Sequence, residues 1–424
     1  MVEETGQSAA GSVCTSAVFR VPAEYATVSA ALAAAAPVQG TVIVDGGTFH
    51  ESGTLSVAPG VSLEGRGAET VLESDGTVIS CADGAVRIAS LSIRQCAQAG
   101  SDTCFGIELR GKTLVESCLI SARCGAKNAC GVLARGSAAT PTLRSCTVHD
   151  CGNAGVILAS GARVTLVESD VRACAGCGVL VLASCVLDAQ GGGVTGCAEG
   201  ALSIAGRAAA SLTGCELSAN GGASGVASVS AKALGRLAMK ECTVRGASGM
   251  GVQLADGAEG KLVSCQLLGC GKAGVAAKAA GRLQVTNCEI AEGAAAGIML
   301  LGSSTPAEPG GAPPQQLLKG NLVRANAKAG VQISAGAQPI VDTNRILDGH
   351  GAGVYVFSGA RPVLIDNVVK GSNGPAIKVE EAAPRVERNT CCGGADVRAC
   401  PHSCARALCA CASLGLMCTA FRVH

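Results

Sequence analysis

The chain has 424 residues, with 33 Lys plus Arg against 32 Asp plus Glu. The resulting net charge of +1 gives no electrostatic reason to expect nucleic acid or an anionic membrane as a partner. The chain contains 59 Gly and 25 Cys but only two Tyr, five Phe and no Trp. A core of this composition must bury Val, Ile, Leu, Ala and Cys in many small, similar layers, which favours a solenoid.

The N-terminal residues carry two glutamates and no basic flank before an apolar block, so they do not resemble a secretory signal. The longest apolar run, residues 30–36, is too short to span a bilayer. We therefore expect a cytoplasmic protein that does not contact a membrane.

A repeated step of Gly followed by an aliphatic residue indicates the period of the solenoid. The step begins at Gly106, Gly131, Gly155, Gly178, Gly225, Gly251, Gly274, Gly297, Gly330 and Gly353, with weaker copies at Gly200 and Ala376. Gly251, Gly274 and Gly297 are each 23 residues apart, whereas Gly330 follows after 33. The longer interval predicts a loop insertion at residues 302–314, which are rich in Ser, Pro and Gly. Turns of this length with short strands predict an all-β, right-handed parallel β-helix of about 12 turns.

Two further columns of residues support the same register. One contains Cys118, Cys146, Ser169, Gly192, Cys215, Cys242, Cys265, Cys288, Asn321, Asn344, Asn367 and Asn389, and the next contains Cys151, Cys174, Cys197, Asn220, Cys270 and Asn326. Equivalent residues of adjacent turns stack about 4.8 Å apart, so Asn at an inward bend forms an amide ladder. Cys at the same bend acts as a small buried apolar residue, and we expect these thiols to be reduced.

The ends of the chain differ from the repeats. Residues 24–36 show helical spacing and predict a helix that caps the first turn. We assign residues 1–20 to an N-terminal tail, 21–390 to the β-helix and 391–424 to a Cys-rich C-terminal tail. The spacings Cys400 to Cys404 and Cys409 to Cys411 do not match a paired CxxC zinc signature, so we assign no metal ligand and no cofactor.

The segments "VPAEYATVSAALAAAAPVQGTVIVDGGTFHES", "VSLEGRGAETVL" and "IASLSIRQC" resemble the entry of the β-helical repeat family with the pectin-lyase-like fold. That family includes carbohydrate-active enzymes, NosD-type periplasmic proteins and β-helical F-box proteins. The turns "PIVDTNRILDGHGAGVYVFSGARPVLIDNVVKGSNGPAIKV" are most similar to the F-box group. This resemblance implies substrate recognition in ubiquitin ligation, and it leaves a zinc-binding tail open.

We assign no catalytic residue. The aspartate segments and the tryptophan that accompany catalysis in pectin methylesterases have no counterpart in this chain. Gly349-His350-Gly351 resembles the Gly-His-Gly of polygalacturonases, but it falls in a turn and lacks the paired aspartates, so we interpret His350 as a solvated turn residue. The acidic residues occur mostly one per turn at outward positions, which suits solubility better than acid–base catalysis.

A strip of outward apolar residues provides the candidate binding site. If the residue after each Gly points inward, strand alternation places Leu133, Ile157 and Val229 outward, with polar breaks at Gln253, Lys278 and Gln332. The predicted partner-binding residues on this strip are Leu180, Leu182, Leu202, Ile204, Met299, Leu301, Tyr355 and Phe357. Contiguous exposed apolar patches usually mark an interface, and a slip of one residue would invert the assignment.

The leading hypothesis is a non-catalytic scaffold that binds a protein, or a second copy of itself, through this strip. The alternative is a carbohydrate-active or carbohydrate-binding protein, and a third hypothesis is a purely structural protein. A groove with clustered carboxylates and stacking aromatics would favour sugar, whereas the apolar strip favours protein.

Overall fold

The computed structural model describes residues 17–96, 103–123, 129–223, 225–302 and 316–392. They form three long parallel sheets, A, B and C, and each turn of the chain adds one strand to each sheet in that order. The described part contributes sixteen strands to sheet A, fifteen to sheet B and fourteen to sheet C. The predicted parallel β-helix is therefore confirmed, but with about fifteen turns rather than 12. The count was low because Thr54 and Val78 replace the marker glycine in early turns.

The strands of sheet A are Val18–Val21, Thr41–Val44, Ser62–Glu64, Ala85–Ala89, Lys112–Glu116, Thr142–Arg144, Arg163–Val167, Val186–Gln190, Ala209–Thr213, Arg236–Lys240, Glu259–Val263, Leu283–Thr286, Gln316–Lys319, Ile340–Asp342, Val363–Ile365 and Arg385–Glu387. The strands of sheet B are Gly47–His50, Thr70–Ser74, Ser92–Gln95, Leu119–Ala122, Thr147–His149, Asp170–Arg172, Gly193–Thr195, Glu216–Ser218, Thr243–Arg245, Gln266–Leu268, Glu289–Ala291, Leu322–Arg324, Arg345–Leu347, Val368–Lys370 and Thr390–Cys392.

The strands of sheet C are Leu55–Val57, Ile79–Cys81, Cys104–Leu109, Ala129–Arg135, Val156–Ala159, Val179–Val181, Leu202–Ile204, Val229–Ala231, Val252–Ala255, Val275–Lys278, Ile298–Leu301, Val331–Ser334, Val354–Phe357 and Ile377–Glu380. Side chains alternate between the interior and the surface along each strand, as in Arg163–Val167, where Val164 and Leu166 are buried. The interior is filled by columns of Val, Leu, Ile and Ala from all three sheets.

The corner between sheets A and B carries the predicted ladder. The Asn344 Oδ1 accepts hydrogen bonds from the backbone N–H of Asn321 (3.0 Å) and from its Nδ2 (2.8 Å). Asn344 repeats the pattern with the Oδ1 of Asn367, and Asn367 with that of Asn389. In earlier turns a thiol donates instead, as Cys146 Sγ does to the carbonyls of Val115 and Arg144, both at 3.3 Å.

The marker glycines are required by close packing between sheets. A Cβ added to Gly131 would lie 2.7 Å from the carbonyl oxygen of Gly155 and would also collide with the Val148 side chain. Since real Cβ atoms do not approach so closely, only glycine lets this strand of sheet C pass so close to sheet B.

The predicted capping helix is present but shorter than expected. It spans Val28–Ala35, and a 3₁₀ turn, Ala36–Val38, follows it. Thr27 caps the helix by accepting a hydrogen bond from the Ala30 N–H (3.2 Å), so the preceding residues form a turn instead of helix. A second 3₁₀ turn is Gly67–Glu69. Val28, Ala31, Leu32 and Ala35 are buried against the first turn.

The predicted segment boundaries differ from the strand boundaries, and parts of three predicted segments lie outside the described residues. The strand Val18–Val21 pairs with Thr41–Val44, so the predicted tail boundary at residue 20 lies inside a strand. The predicted boundary after residue 390 also lies inside a strand, because Thr390–Cys392 pairs with Val368–Lys370. Residues 1–16, residues 303–314 of the predicted insertion and residues 393–424 of the Cys-rich tail lie outside the described residues.

Candidate functional site on the outer face of sheet C

The outer face of sheet C carries one residue per turn in a straight column. Strand register aligns Ser56, Ser80, Glu108, Leu133, Ile157, Leu180, Ser203, Ser230, Gln253, Ala276, Met299, Gln332, Tyr355 and Lys378. Neighbouring members are one strand spacing apart, about 4.8 Å. The column is apolar in two places and polar between them, because the outward Ser203 and Ser230 add to the predicted polar break at Gln253.

Leu202 and Ile204 were wrongly placed on the surface. They are 2% and 1% exposed and point inward, whereas Ser203 between them points outward. The error arose because Gly200 was taken as the marker glycine. Register pairs Leu202 with Val179, so Ala201 holds the place of Gly178, as a strict spacing of 23 residues from Gly178 also indicates.

The same inversion affects the next turn. Val229 is buried and Ser230 faces outward, because Ser228 rather than Gly225 precedes the strand. These turns therefore replace apolar surface with hydroxyl groups.

The first apolar part, which we call the leucine cluster, comprises Leu133, Ile157, Leu180 and Leu182. Leu133, Ile157 and Leu180 occupy adjacent strands of the column, and Leu182 is 41% exposed. On one side the cluster borders Glu108, whose Oε1 lies 3.0 Å from Arg110 Nη2 and also pairs with Arg135. A large exposed leucine beside three half-buried or buried aliphatic neighbours is typical of a contact surface.

The second part, which we call the aromatic cluster, contains the predicted residues Met299, Leu301, Tyr355 and Phe357. The Tyr355 and Phe357 rings are stacked with centroids 4.5 Å apart and an interplanar angle of 20°. All four side chains are half-buried on the outer face. Met299 and Tyr355 lie in one outward column of the sheet, and Leu301 and Phe357 lie two residues further along their strands.

Polar groups surround this carbon surface: the predicted break Gln332, and two residues that the glycine pattern did not indicate, Lys378 and Glu380. Gln332 lies between Met299 and Tyr355 in the column, and Lys378 follows Tyr355. Lys378 Nζ lies 4.7 Å from the centre of the Tyr355 ring and 2.8 Å from Glu380 Oε1. Strand register places Lys378 and Glu380 on the same face, since they repeat the spacing of Tyr355 and Phe357 one turn later.

Hydrogen bonding and charge shift the pKa values within the aromatic cluster. Tyr355 Oη donates to the Glu380 carboxylate, which raises the pKa of Tyr355. The Lys378 ammonium, followed by the Tyr355 hydroxyl, lowers the pKa of Glu380. At neutral pH the cluster therefore presents an ionised carboxylate, an ammonium and a neutral phenol beside an apolar ring.

Other carboxylates with shifted pKa values are ion-pair partners. A hydrogen bond from His149 and the charge of Arg123 lower the pKa of Asp150, and Arg388 lowers the pKa of Asp366. A general acid needs a raised pKa instead. His350 is exposed in the turn between Arg345–Leu347 and Val354–Phe357, where its backbone N–H donates to Asn326 O at 3.0 Å.

Within the described ranges, no three His, Cys, Asp or Glu side chains come together as metal ligands. In that same part of the chain, no helix has the length and apolarity needed to span a membrane.

The fold and its outward columns define a parallel β-helix that displays rows of side chains on its sheets. The family model described as a right-handed β-helix region matches residues 41–191, 77–234, 183–309 and 227–391. The chain therefore belongs to the right-handed β-helix family. This match does not extend to the closer resemblance to β-helical F-box or NosD-type proteins, which stays a prediction.

Two solved structures with a similar course of the chain are an epimerase module and a glucanase catalytic unit. The A-module of mannuronan C-5 epimerase AlgE6 from Azotobacter vinelandii is 15% identical, with a TM-score of 0.42 and coverage of 86% of this chain and 94% of that one. A GH87 α-1,3-glucanase catalytic unit from Streptomyces thermodiastaticus is 14% identical, with a TM-score of 0.36 and coverage of 87% and 65%. No curated protein matches this chain.

Proposed function

We propose that this protein binds a carbohydrate chain on the outer face of sheet C, with the aromatic cluster as its anchor. One observation carries the proposal: stacked Tyr355 and Phe357 lie directly beside the ionised pair of Lys378 and Glu380. A saccharide offers apolar C–H faces to aromatic carbon and hydroxyl groups to charged and amide side chains. Gln332 adds both an amide donor and an acceptor next to the ring.

The polar middle of the column extends this site along the solenoid. Ser203, Ser230 and Gln253 follow one another at strand spacing and face outward. Their hydroxyl and amide groups can hydrogen-bond successive units of a polymer, which an uninterrupted row of leucines could not. The inward position of Leu202 and Ile204 therefore favours the carbohydrate hypothesis over a long protein-binding strip.

Affinity electrophoresis in gels that contain soluble neutral glucans or polyuronates tests the proposal. We expect at least one polysaccharide to retard the intact chain, and we expect Phe357→Ser to abolish the retardation by removing ring surface. Leu182→Ser is the matched control, since it removes an exposed apolar side chain from the same sheet face. Absence of retardation with every polysaccharide, or equal losses in both variants, would contradict the proposal.

The leucine cluster supports a second candidate function, protein binding, because Leu182 is 41% exposed beside Leu180 and Ile157. The test is the joint replacement Leu180→Ser and Leu182→Ser, which leaves the buried residues intact. We expect a self-associated or partner-bound protein to become monomeric, as measured by light scattering and co-purification. If the oligomeric state and the co-purifying proteins do not change, the leucine cluster is not an interface.

A further inference from the structure

The outer face of sheet A contains a depression that no sequence motif marked. Its volume is about 430 Å³, and it crosses five successive strands, from Val186–Gln190 to Leu283–Thr286. Four strand spacings correspond to about 19 Å. A depression of this volume is in the size range of ligand-binding clefts.

Small side chains create the depression. Ala209, Ser211 and Ala238 face outward in its floor, where neighbouring turns carry longer residues. Val186 lies at one end and Gln284 at the other. The floor thus allows the backbone of a ligand to approach the sheet closely.

Positive charge dominates the rim. Arg236 Nε lies 3.4 Å from Glu259 Oε2, so this carboxylate already has a partner. Lys261 and Arg282 are exposed, and neither forms an ion pair with another described residue. By contrast, Arg87 and Arg144 of the same sheet pair with Glu116. The rim therefore has two cations available for a ligand.

From this geometry we infer a second binding site, which accepts an extended acidic peptide segment of a partner protein. Its Asp or Glu side chains meet Lys261 and Arg282, and its backbone lies over the alanine and serine floor, where Ser211 and Gln284 supply hydrogen bonds. The charge complementarity is the reason for choosing this occupant. About six residues in extended form would fill the depression.

An acidic polysaccharide is the competing ligand. The residues that line the depression include Arg, Lys, Gln and Ser but no aromatic ring on which a sugar could stack. The small apolar floor of Ala209, Ala238 and Val186 suits peptide backbone and short side chains better. This site is separate from the aromatic cluster of sheet C, so either proposal can fail without the other.

Fluorescence anisotropy of the full chain with a labelled peptide of alternating Glu and Ala tests the inference. We expect binding that weakens strongly as the salt concentration approaches about 1 M. The double variant Lys261→Glu and Arg282→Glu should bind about tenfold more weakly or worse. Lys112→Glu with Arg163→Glu is the matched control, because these exposed cations lie on the same sheet outside the depression.

Three outcomes would overturn the inference. The Glu peptide could bind no better than a Lys peptide of equal length, or both double variants could lose affinity equally, which would indicate unspecific attraction. Polyuronate oligosaccharides could also bind more tightly than the peptide and be lost with Lys261→Glu and Arg282→Glu. Circular dichroism of each variant establishes that the fold is intact, so a loss of binding reports on the depression.

Discussion

Asn and Cys side chains both fill the corner between sheets A and B, but they connect neighbouring turns with different numbers of hydrogen bonds. Asn344 Nδ2 donates to Leu318 O, Asp342 O and Asn367 Oδ1, while its Oδ1 accepts from Asn321. Cys242 in the same column donates from Sγ towards Leu212 O (3.4 Å) and Lys240 O (3.3 Å), and its sulfur also contacts the thiols of Cys215 and Cys265 in the adjacent turns. The amide thus holds three turns together, whereas the thiol mainly fills space.

We predict that Asn344→Ala destabilises the solenoid by about 3 kcal/mol, because it leaves buried N–H and C=O groups without partners. Cys242→Ala should cost about 1 kcal/mol, since it removes a small apolar group and one weak donor. Urea denaturation of both variants compares the free energies of unfolding. Equal losses would mean that the amide ladder adds nothing beyond packing.

Tyr355 should titrate above the ordinary tyrosine pKa because its hydroxyl donates to Glu380. The folded-state pKa is raised, so this hydrogen bond stabilises the fold below the ordinary tyrosine pKa and is lost as pH rises through the raised value. Ultraviolet absorbance of tyrosinate in a Tyr25→Phe background isolates Tyr355. Glu380→Gln should return the titration towards the ordinary value, and no change would exclude the carboxylate as the cause.

At the scale of elements, the end of a solenoid leaves one side of its last turn uncovered. Each inner turn is covered by two neighbours, whereas the first is covered on one side by the helix Val28–Ala35. The helix N-terminus is held by Thr27 and by Glu51, whose Oε1 accepts from the Val28 N–H at 3.0 Å. The cap is therefore tied to the turn it covers by both packing and hydrogen bonds.

Leu32→Asp should detach this cap, because a charge replaces a buried side chain whose burial contributes about 2 kcal/mol. We expect a lower melting temperature and aggregation by exposed strand edges, as measured by thermal unfolding with light scattering. Ala33→Asp, on the exposed side of the same helix, is the control. Similar aggregation of both variants would argue against a capping role.

At the scale of the whole molecule, one continuous core runs through all the described turns, and most of their cysteines lie within it. Burial raises the pKa values of Cys81 and Cys177 to about 12, which suppresses the reactive thiolate at neutral pH. Cys96 is half-buried, and its pKa is also raised, first by burial and then by the charge of Glu73.

Alkylation with iodoacetamide at neutral pH should therefore modify Cys96 well before Cys81 and Cys177, as followed by peptide mass spectrometry. After denaturation the three thiols should react at similar rates, because burial no longer protects two of them. Rapid labelling of Cys81 in the native protein would indicate that the second turn opens readily.

The period of 23 residues in the sequence was sufficient to predict the parallel β-helix, the Asn ladder and the need for a cap, because each depends on contacts between adjacent repeats. Register in the turns at Leu202 and Val229 could not be read from the glycine column, since Ala201 and Ser228 take the place of glycine. The pairing of Tyr355 with Glu380 and the depression over Ala209 and Ala238 were decided only by the tertiary structure. Stacking brings together residues that are 22 or more positions apart, and one residue of register determines whether a side chain meets solvent or core.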